Sequence, residues 1–267
     1  MKSKVKEHCQ DDKDVENFAT SGMTDFMEAS KEVASQKGNH RSKHEKLDKL
    51  VIGFADRKMK RTGHQLSAML AYLYHLSPDF RNEGQPFPNF TEEEKQSARE
   101  YIAGEQEIVR MTGLANKDNT ITLFRNTDEK QLGKGNSKTG YRGNYRGNNL
   151  ESWTTNPDLG IAIDGQPKSK VMANIPLYAV VASCIGREKG KDFEFKDKGE
   201  CEIMVCGAFV KDVIVVGDNK GIDAKKRISY LKGVKRNMQR FSQIDVDESR
   251  KSSMHRRIRL TRRLWDL

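Results

Sequence analysis

The stretch Gly199–Val210, GECEIMVCGAFV, sets two carboxylates, Glu200 and Glu202, at the mouth of an apolar run. Ile203, Met204 and Val205 have the character of a strand, with Ala208, Phe209 and Val210 beyond them. Side chains two apart on a strand share a face. Both glutamates are therefore expected to point the same way at close range, where like charges raise each other's cost of ionisation. Two readings follow, a solvated strand end or a pair of acids set for chemistry. Cys201, between them, should face the other way and reads as packing.

Outward from this stretch, the 267 residues suffice for one sizeable core, or a catalytic domain with a smaller companion. With 35% hydrophobic and 32% charged residues the chain is polar. Its longest apolar runs, Ile203–Val210 and Val213–Val216, are far too short to span a bilayer. The start, MKSKVKEHCQDDKD, has no apolar segment after its lysines and is unlike a signal peptide. A cytoplasmic site of action is expected, with secretion as an effector by another route left open. Cys9, Cys184, Cys201 and Cys206 show no zinc-type spacing, and a reducing compartment suits them. His40 and His44 lack partner ligands, so no metal site is expected.

The net charge of +10 is unevenly placed. From Ala224 onward fourteen Lys or Arg stand against four acids, which accounts for all of it. The densest part holds Arg256, Arg257, Arg259, Arg262 and Arg263. Such a segment is drawn to phosphates or to an acidic surface; otherwise it is a solubilising tail.

Four regions are expected. Residues 1–40, rich in Lys, Asp, Ser and Gly, form a flexible segment with one short helix at most. Residues 41–90 form a helical appendage. There Leu47, Leu50, Val51 and Phe54 fall at helical spacing, Gly63 breaks the run, and Leu66, Met69, Leu70, Leu73 and Tyr74 share one side of a second helix that Pro78 ends. Residues 91–223 form the core. It opens on Thr91 with Glu94 three residues later, a capping-box pattern. Strands follow through Ile121–Arg125, LESWTTNP, VMANIPLYAVVAS with a break at Pro176, the opening stretch, and DVIVVG. A Gly- and Asn-rich loop repeats YRGN at Tyr141–Asn144 and Tyr145–Asn148, where arginines and tyrosines could meet phosphates and bases. Residues 224–267 are the basic segment. The class is α+β, a core of short mixed strands with a helical N-terminal part, and it carries neither a G-x-G-x-x-G fingerprint nor a P-loop.

Three pieces stand out in order: Arg125 in LFRNT, Ser152, Thr154 and Thr155 in SWTTNP, and Glu200 and Glu202 in GECEIMV. Together they resemble the mono-ADP-ribosyltransferases of the Arg–Ser–Glu class, which include the catalytic domains of cholera-like and clostridial binary toxins and their phage relatives. The resemblance covers roughly residues 91–217. It implies NAD as co-substrate, cleaved between nicotinamide and ribose. It implies that Arg125 grips the phosphates, that Glu202 holds a ribose hydroxyl and steadies the oxocarbenium-like charge, that Glu200 takes the acceptor's proton, and that Ser152 or Thr154 positions Glu202. Against the family's Ser-Thr-Ser, either Ser152 leads with Trp153 inserted, or Trp153 takes the first place and Thr154–Thr155 follow; the second is preferred. Asn126 stands where glycine is common. Glu200 implies protein arginine as acceptor, whereas the basic segment points to an acidic macromolecule, RNA or DNA included. Phe193 and Phe195 lie in the loop where the acceptor would be met. An antitoxin or chaperone partner is compatible with this class. The competing readings are a nucleic-acid-binding module without enzymatic activity and a structural adaptor.

Overall fold

The computed structural model describes residues 40–55, 60–76, 89–134, 136–156, 169–185, 202–218 and 221–222, with isolated positions at 225, 229, 232 and 233. The expected flexible segment, the loop with Phe193 and Phe195, Glu200, and nearly all of the basic segment lie outside these residues.

Among the described residues four helices come first: α1 (His40–Lys43), α2 (Glu45–Ala55), α3 (Lys60–Leu73) and α4 (Glu92–Met111). The 20 residues of α4 begin at the expected box: the Thr91 side chain accepts from the Glu94 amide and the Glu94 carboxylate accepts from the Thr91 amide. Three acids in its first turn complement the positive end of the helix dipole. Gly63 does not break α3, which runs through it from Lys60. A glycine inside a helix costs only about 1 kcal/mol relative to alanine, and Leu66, Met69, Leu70 and Leu73 are all buried, an apolar face large enough to outweigh it.

The strands are β1 (Thr120–Thr127), β2 (Arg142–Asn144), β3 (Glu151–Thr154), β4 (Ser169–Pro176), β5 (Val180–Ser183), β6 (Glu202–Val205), β7 (Asp212–Asp218) and β8 (Gly221–Ile222), with a short helix α5 (Glu129–Leu132) after β1. The sheet order is β2-β7-β4-β1-β3-β6-β5, with β8 against β7. Every pairing is antiparallel, which corrects the expectation of mixed strands. Of the neighbouring pairs, β5–β6 and β7–β8 are consecutive in the chain; the others are joined by longer connections whose return direction sets the antiparallel sense.

Two ribbons give the sheet its shape. β4 continues into β5 through a 3-10 turn at Leu177–Ala179, and β6 into β7 through one at Gly207–Phe209. Each ribbon thus pairs in one half of the sheet, bends, and pairs in the other. The two corners touch, since the Cys206 amide donates to the Ala179 carbonyl at 2.7 Å and the rings of Tyr178 and Phe209 meet edge to face. Such bends let strands pass between packed halves. One buried cluster joins Ile121 and Leu123 of β1, Trp153 of β3, Val171 and Ile175 of β4, Ile203 and Val205 of β6, and Val213 and Val215 of β7.

A second cluster joins Leu47, Val51, Leu66, Leu70, Tyr101 and Ile102 of the helices with Val181, Ala182, Met204 and Cys206 of the β5–β6 half. The described helices of the 41–90 region thus lie as a layer on the sheet. Burial against β5 and β6 is what their apolar faces achieve. No helix among the described residues is long and apolar enough to cross a membrane.

Candidate functional site

β1 and β3 are paired at one position only, Phe124 opposite Thr154. From there toward Thr127 and Glu151 the two strands separate and leave a fork in the sheet. β6 pairs with β3 on its other side, with Thr154 opposite Glu202, Trp153 opposite Ile203 and Ser152 opposite Met204. Residues directly opposite in an antiparallel pair hold their Cβ atoms about 5 Å apart on a common face. Thr154 and Glu202 are therefore close neighbours. Thr154 is fully buried and Glu202, the first residue of β6, is half-buried. The Thr154 hydroxyl oxygen accepts from the Asn156 amide at 2.9 Å, closing a turn at the end of β3. Ser152 lies on the same face, two positions back, and Thr155 is buried one position beyond the strand.

Arg125 follows Phe124 and so starts from the opposite face. Its guanidinium spans the fork, Nη1 donating to the Ser152 carbonyl at 2.6 Å where a ladder bond would otherwise run. The side chain is 7% exposed, and its Nε is buried without a hydrogen-bond partner among the described residues. The same holds for Oδ1 of the adjacent Asn126. A buried N–H left unmade costs on the order of 1–3 kcal/mol, so an anionic oxygen arriving there would be gripped by a donor already in place.

The fork is filled behind Arg125 by a group that the sequence reading missed. Glu151 is 1% exposed, and its carboxylate accepts from Gln131 Nε2 at 2.8 Å, the Asn148 amide at 3.0 Å, the Tyr145 hydroxyl at 3.1 Å and Trp153 Nε1 at 3.2 Å. Burial, and then the Glu151 charge, raise the Tyr145 phenol far above its usual range, while the positive charge of Arg125 works the other way. Arg125 thus helps to offset Glu151 within the protein, besides facing the fork. Tyr145 is also the tyrosine of the second YRGN copy. It is 7% exposed and packs edge to face on Trp153, so it cannot stack on a base. The first copy forms β2, with Arg142 and Asn144 exposed. The sequence signal for Glu151 was the strand alternation itself, which pairs it with Trp153 on the buried face.

The structure therefore brings Ser152, Thr154 and Glu202 onto one face and sets Arg125 across the fork from them. Glu200 lies outside the described residues. The arrangement offers a preorganised cation donor, a half-buried carboxylate on a rigid strand, and a hydroxyl directly opposite it. No family model, no curated protein and no solved structure matches the chain.

Proposed function

We propose that the protein is a mono-ADP-ribosyltransferase that takes NAD as co-substrate and modifies a macromolecular acceptor. The observation that carries this reading is that three motifs distant in sequence meet on three neighbouring strands, with Thr154 opposite Glu202 and the Arg125 guanidinium across the adjoining fork. The unpartnered Nε of Arg125 fits the diphosphate of NAD, because a guanidinium with spare N–H groups recognises phosphate oxygens by charge-assisted bonds.

In this reading the bond between the ribose anomeric carbon and nicotinamide breaks, and its electron pair leaves with nicotinamide. Positive charge builds on the ribose. Glu202 accepts a hydrogen bond from a ribose hydroxyl and opposes that charge, a contribution realised in the transition state. Thr154, with Ser152 and Thr155 beside it, fixes the carboxylate's position, which matters because small misplacements are costly in rate. The acceptor nucleophile bonds to the anomeric carbon and yields its proton to Glu200. Protein arginine is the favoured acceptor. The second reading is transfer to RNA or DNA, favoured by the fourteen basic residues after Ala224.

The test is purified protein with NAD labelled in the adenylate half, added to a cell extract and followed by separate nuclease and protease digestion. Label on macromolecules with wild type, and none with Glu202→Gln, is expected. Equal labelling by both removes the enzyme reading. Label released by protease and not by nuclease supports protein; the converse moves the acceptor to nucleic acid. Glu200→Gln is expected to reduce transfer more than NAD hydrolysis, since water as acceptor needs less help from a base.

A further inference from the structure

Between Asp128 and Glu151 the chain carries no acid between positions 130 and 150, but five cations: Lys130, Lys134, Lys138, Arg142 and Arg146. All five are exposed. None forms an ion pair among the described residues. Asp128 accepts from the Lys130 amide at 2.9 Å at the start of the segment, and Lys211 and Asp212, both exposed, stand where β7 passes beside Asn144.

The segment is tied down at many points. The Arg146 amide donates to the Gln131 carbonyl at 2.9 Å, closing the neck of a compact loop whose ends meet. The Gly140 amide donates to Val215, the Val215 amide to Tyr141, and the Tyr145 amide to Lys211. Leu132 and Tyr145 are buried beneath it. Gly147 lies so close to Gly207 that an added methyl would strike the Gly207 carbonyl. Through Gln131 and Tyr145 the foot of the loop reaches Glu151 in the fork.

We infer that the exposed face bearing Lys130, Lys134, Lys138, Arg142 and Arg146 is a binding surface for single-stranded nucleic acid, engaged through its phosphates. Cations held on a fixed frame without internal partners keep their full field and lose little side-chain order to one another. The surface offers no apolar anchor, because the large apolar side chains of the segment point inward. Protein interfaces draw most of their energy from such buried anchors, and this strip has charge alone. Sequence-independent contact to a sugar-phosphate backbone needs nothing more, and the open space beside Gly140 lets a phosphate approach the main chain. Without a helix or projecting ribbon to enter a groove, a flexible single strand is the polyanion that can follow the loop. The inference does not rest on NAD chemistry, since binding requires none.

The experiment is fluorescence anisotropy of the full chain with a labelled oligouridine of about twenty nucleotides, longer than ordinary single-strand site sizes, titrated across a salt series without NAD. Wild type is compared with a variant carrying glutamine at all five positions and with Arg142→Gln/Arg146→Gln. Each phosphate contact contributes about 0.7 to the slope of log K against log salt for single strands. The five-position variant should therefore lose up to about 3 units of slope and at least tenfold in affinity at low salt, and the two-position variant roughly 1 unit. The basic segment after Ala224 remains in every variant, so its contribution cancels. Exposed, unpaired side chains contribute little to stability, and unchanged melting curves should accompany the loss. Unchanged slope and affinity in the five-position variant overturn the inference. So does equal loss with polyglutamate competing as well as RNA, which marks an acidic-protein site, or wild-type preference for phosphatidylserine vesicles over the oligonucleotide.

Discussion

Glu151 sits where a carboxylate is expensive, and four donor groups from four residues make it tolerable. Removing it leaves those donors stranded, which costs more than the bonds were worth. Glu151→Ala is therefore expected to lower stability by about 3 kcal/mol, and Glu151→Gln by less, since the amide oxygen still accepts. Urea unfolding midpoints check this, and equal effects would show that the charge, and not the acceptor, matters. Gly147 makes a comparable demand by shape. Its neighbour is backbone, which yields reluctantly, so Gly147→Ala should cost about 1–3 kcal/mol. At this scale the sequence was uneven. Arg125, Thr154 and Glu202 were singled out through the ordered motifs of the resemblance, and the structure sets them on neighbouring strands. Glu151 was not, because a glutamate beside a serine looks solvated until Tyr145, Gln131 and Trp153 are known to converge on it.

Helix ends show the same contrast one level up. The start of α4 was legible because a capping box is written in residues three apart. Thr91→Ala should cost about 1 kcal/mol, measured by thermal unfolding. The end of α3 was signalled by Pro78, and the helix stops a little before it, at Leu73. It closes with the Leu76 amide on the Ala71 carbonyl and the His75 amide on Tyr72, the doubled bond of a Schellman turn, with His75 at φ 53°. Glycine ordinarily marks that position, so the turn itself carried no signal. His75→Gly should stabilise the protein by about 0.5–1 kcal/mol, since it relieves a left-handed conformation that non-glycine residues resist. A loss of stability would mean that the His75 side chain has a role its exposure conceals. The strands β1, β4 and β7 were visible in their apolar alternation. Their neighbours were not, because the order places β1 between β3 and β4 and separates β2 from β3, an arrangement set by packing and by the two corners.

For the whole molecule, the join between helices and sheet rests on the buried carboxylate of Glu105 and its partners as well as on apolar burial. Arg41 of α1 grips Glu105 of α4 through Nε at 2.5 Å and Nη2 at 2.9 Å, and also donates to the Ile185 and Ser183 carbonyls. Ser183 of β5 donates to the same carboxylate from its amide and its hydroxyl. Glu105 is fully buried, and without Arg41 it keeps only His40 Nε2 at 3.1 Å and the two Ser183 donors, so Arg41→Ala should cost about 3 kcal/mol. Replacing both partners with apolar residues of similar size should cost much less, and a double-mutant cycle measures the difference. An additive cycle would reduce the pair to a bystander of the apolar contacts. The apolar periodicity of α2 and α3 was readable beforehand; that their partner was the sheet was not, since periodicity names a face without naming what covers it.

The two bent ribbons set a timetable for the newborn chain. As residues leave the ribosome, β1 waits until about residue 176 for its long ladder with β4, and β3 has no ladder beyond one contact until β6 emerges past residue 202. β2 waits longer still, for β7. At typical synthesis speeds of roughly 5–20 residues per second, unsatisfied strand edges persist for seconds. A ribosome-stalled chain ending near residue 190 should be open to protease throughout 120–156, and one extended past residue 218 by a linker long enough to clear the exit tunnel should not. The protein is thus committed to its fold only when its last strands arrive, and the nascent chain is the form in which a chaperone would meet it.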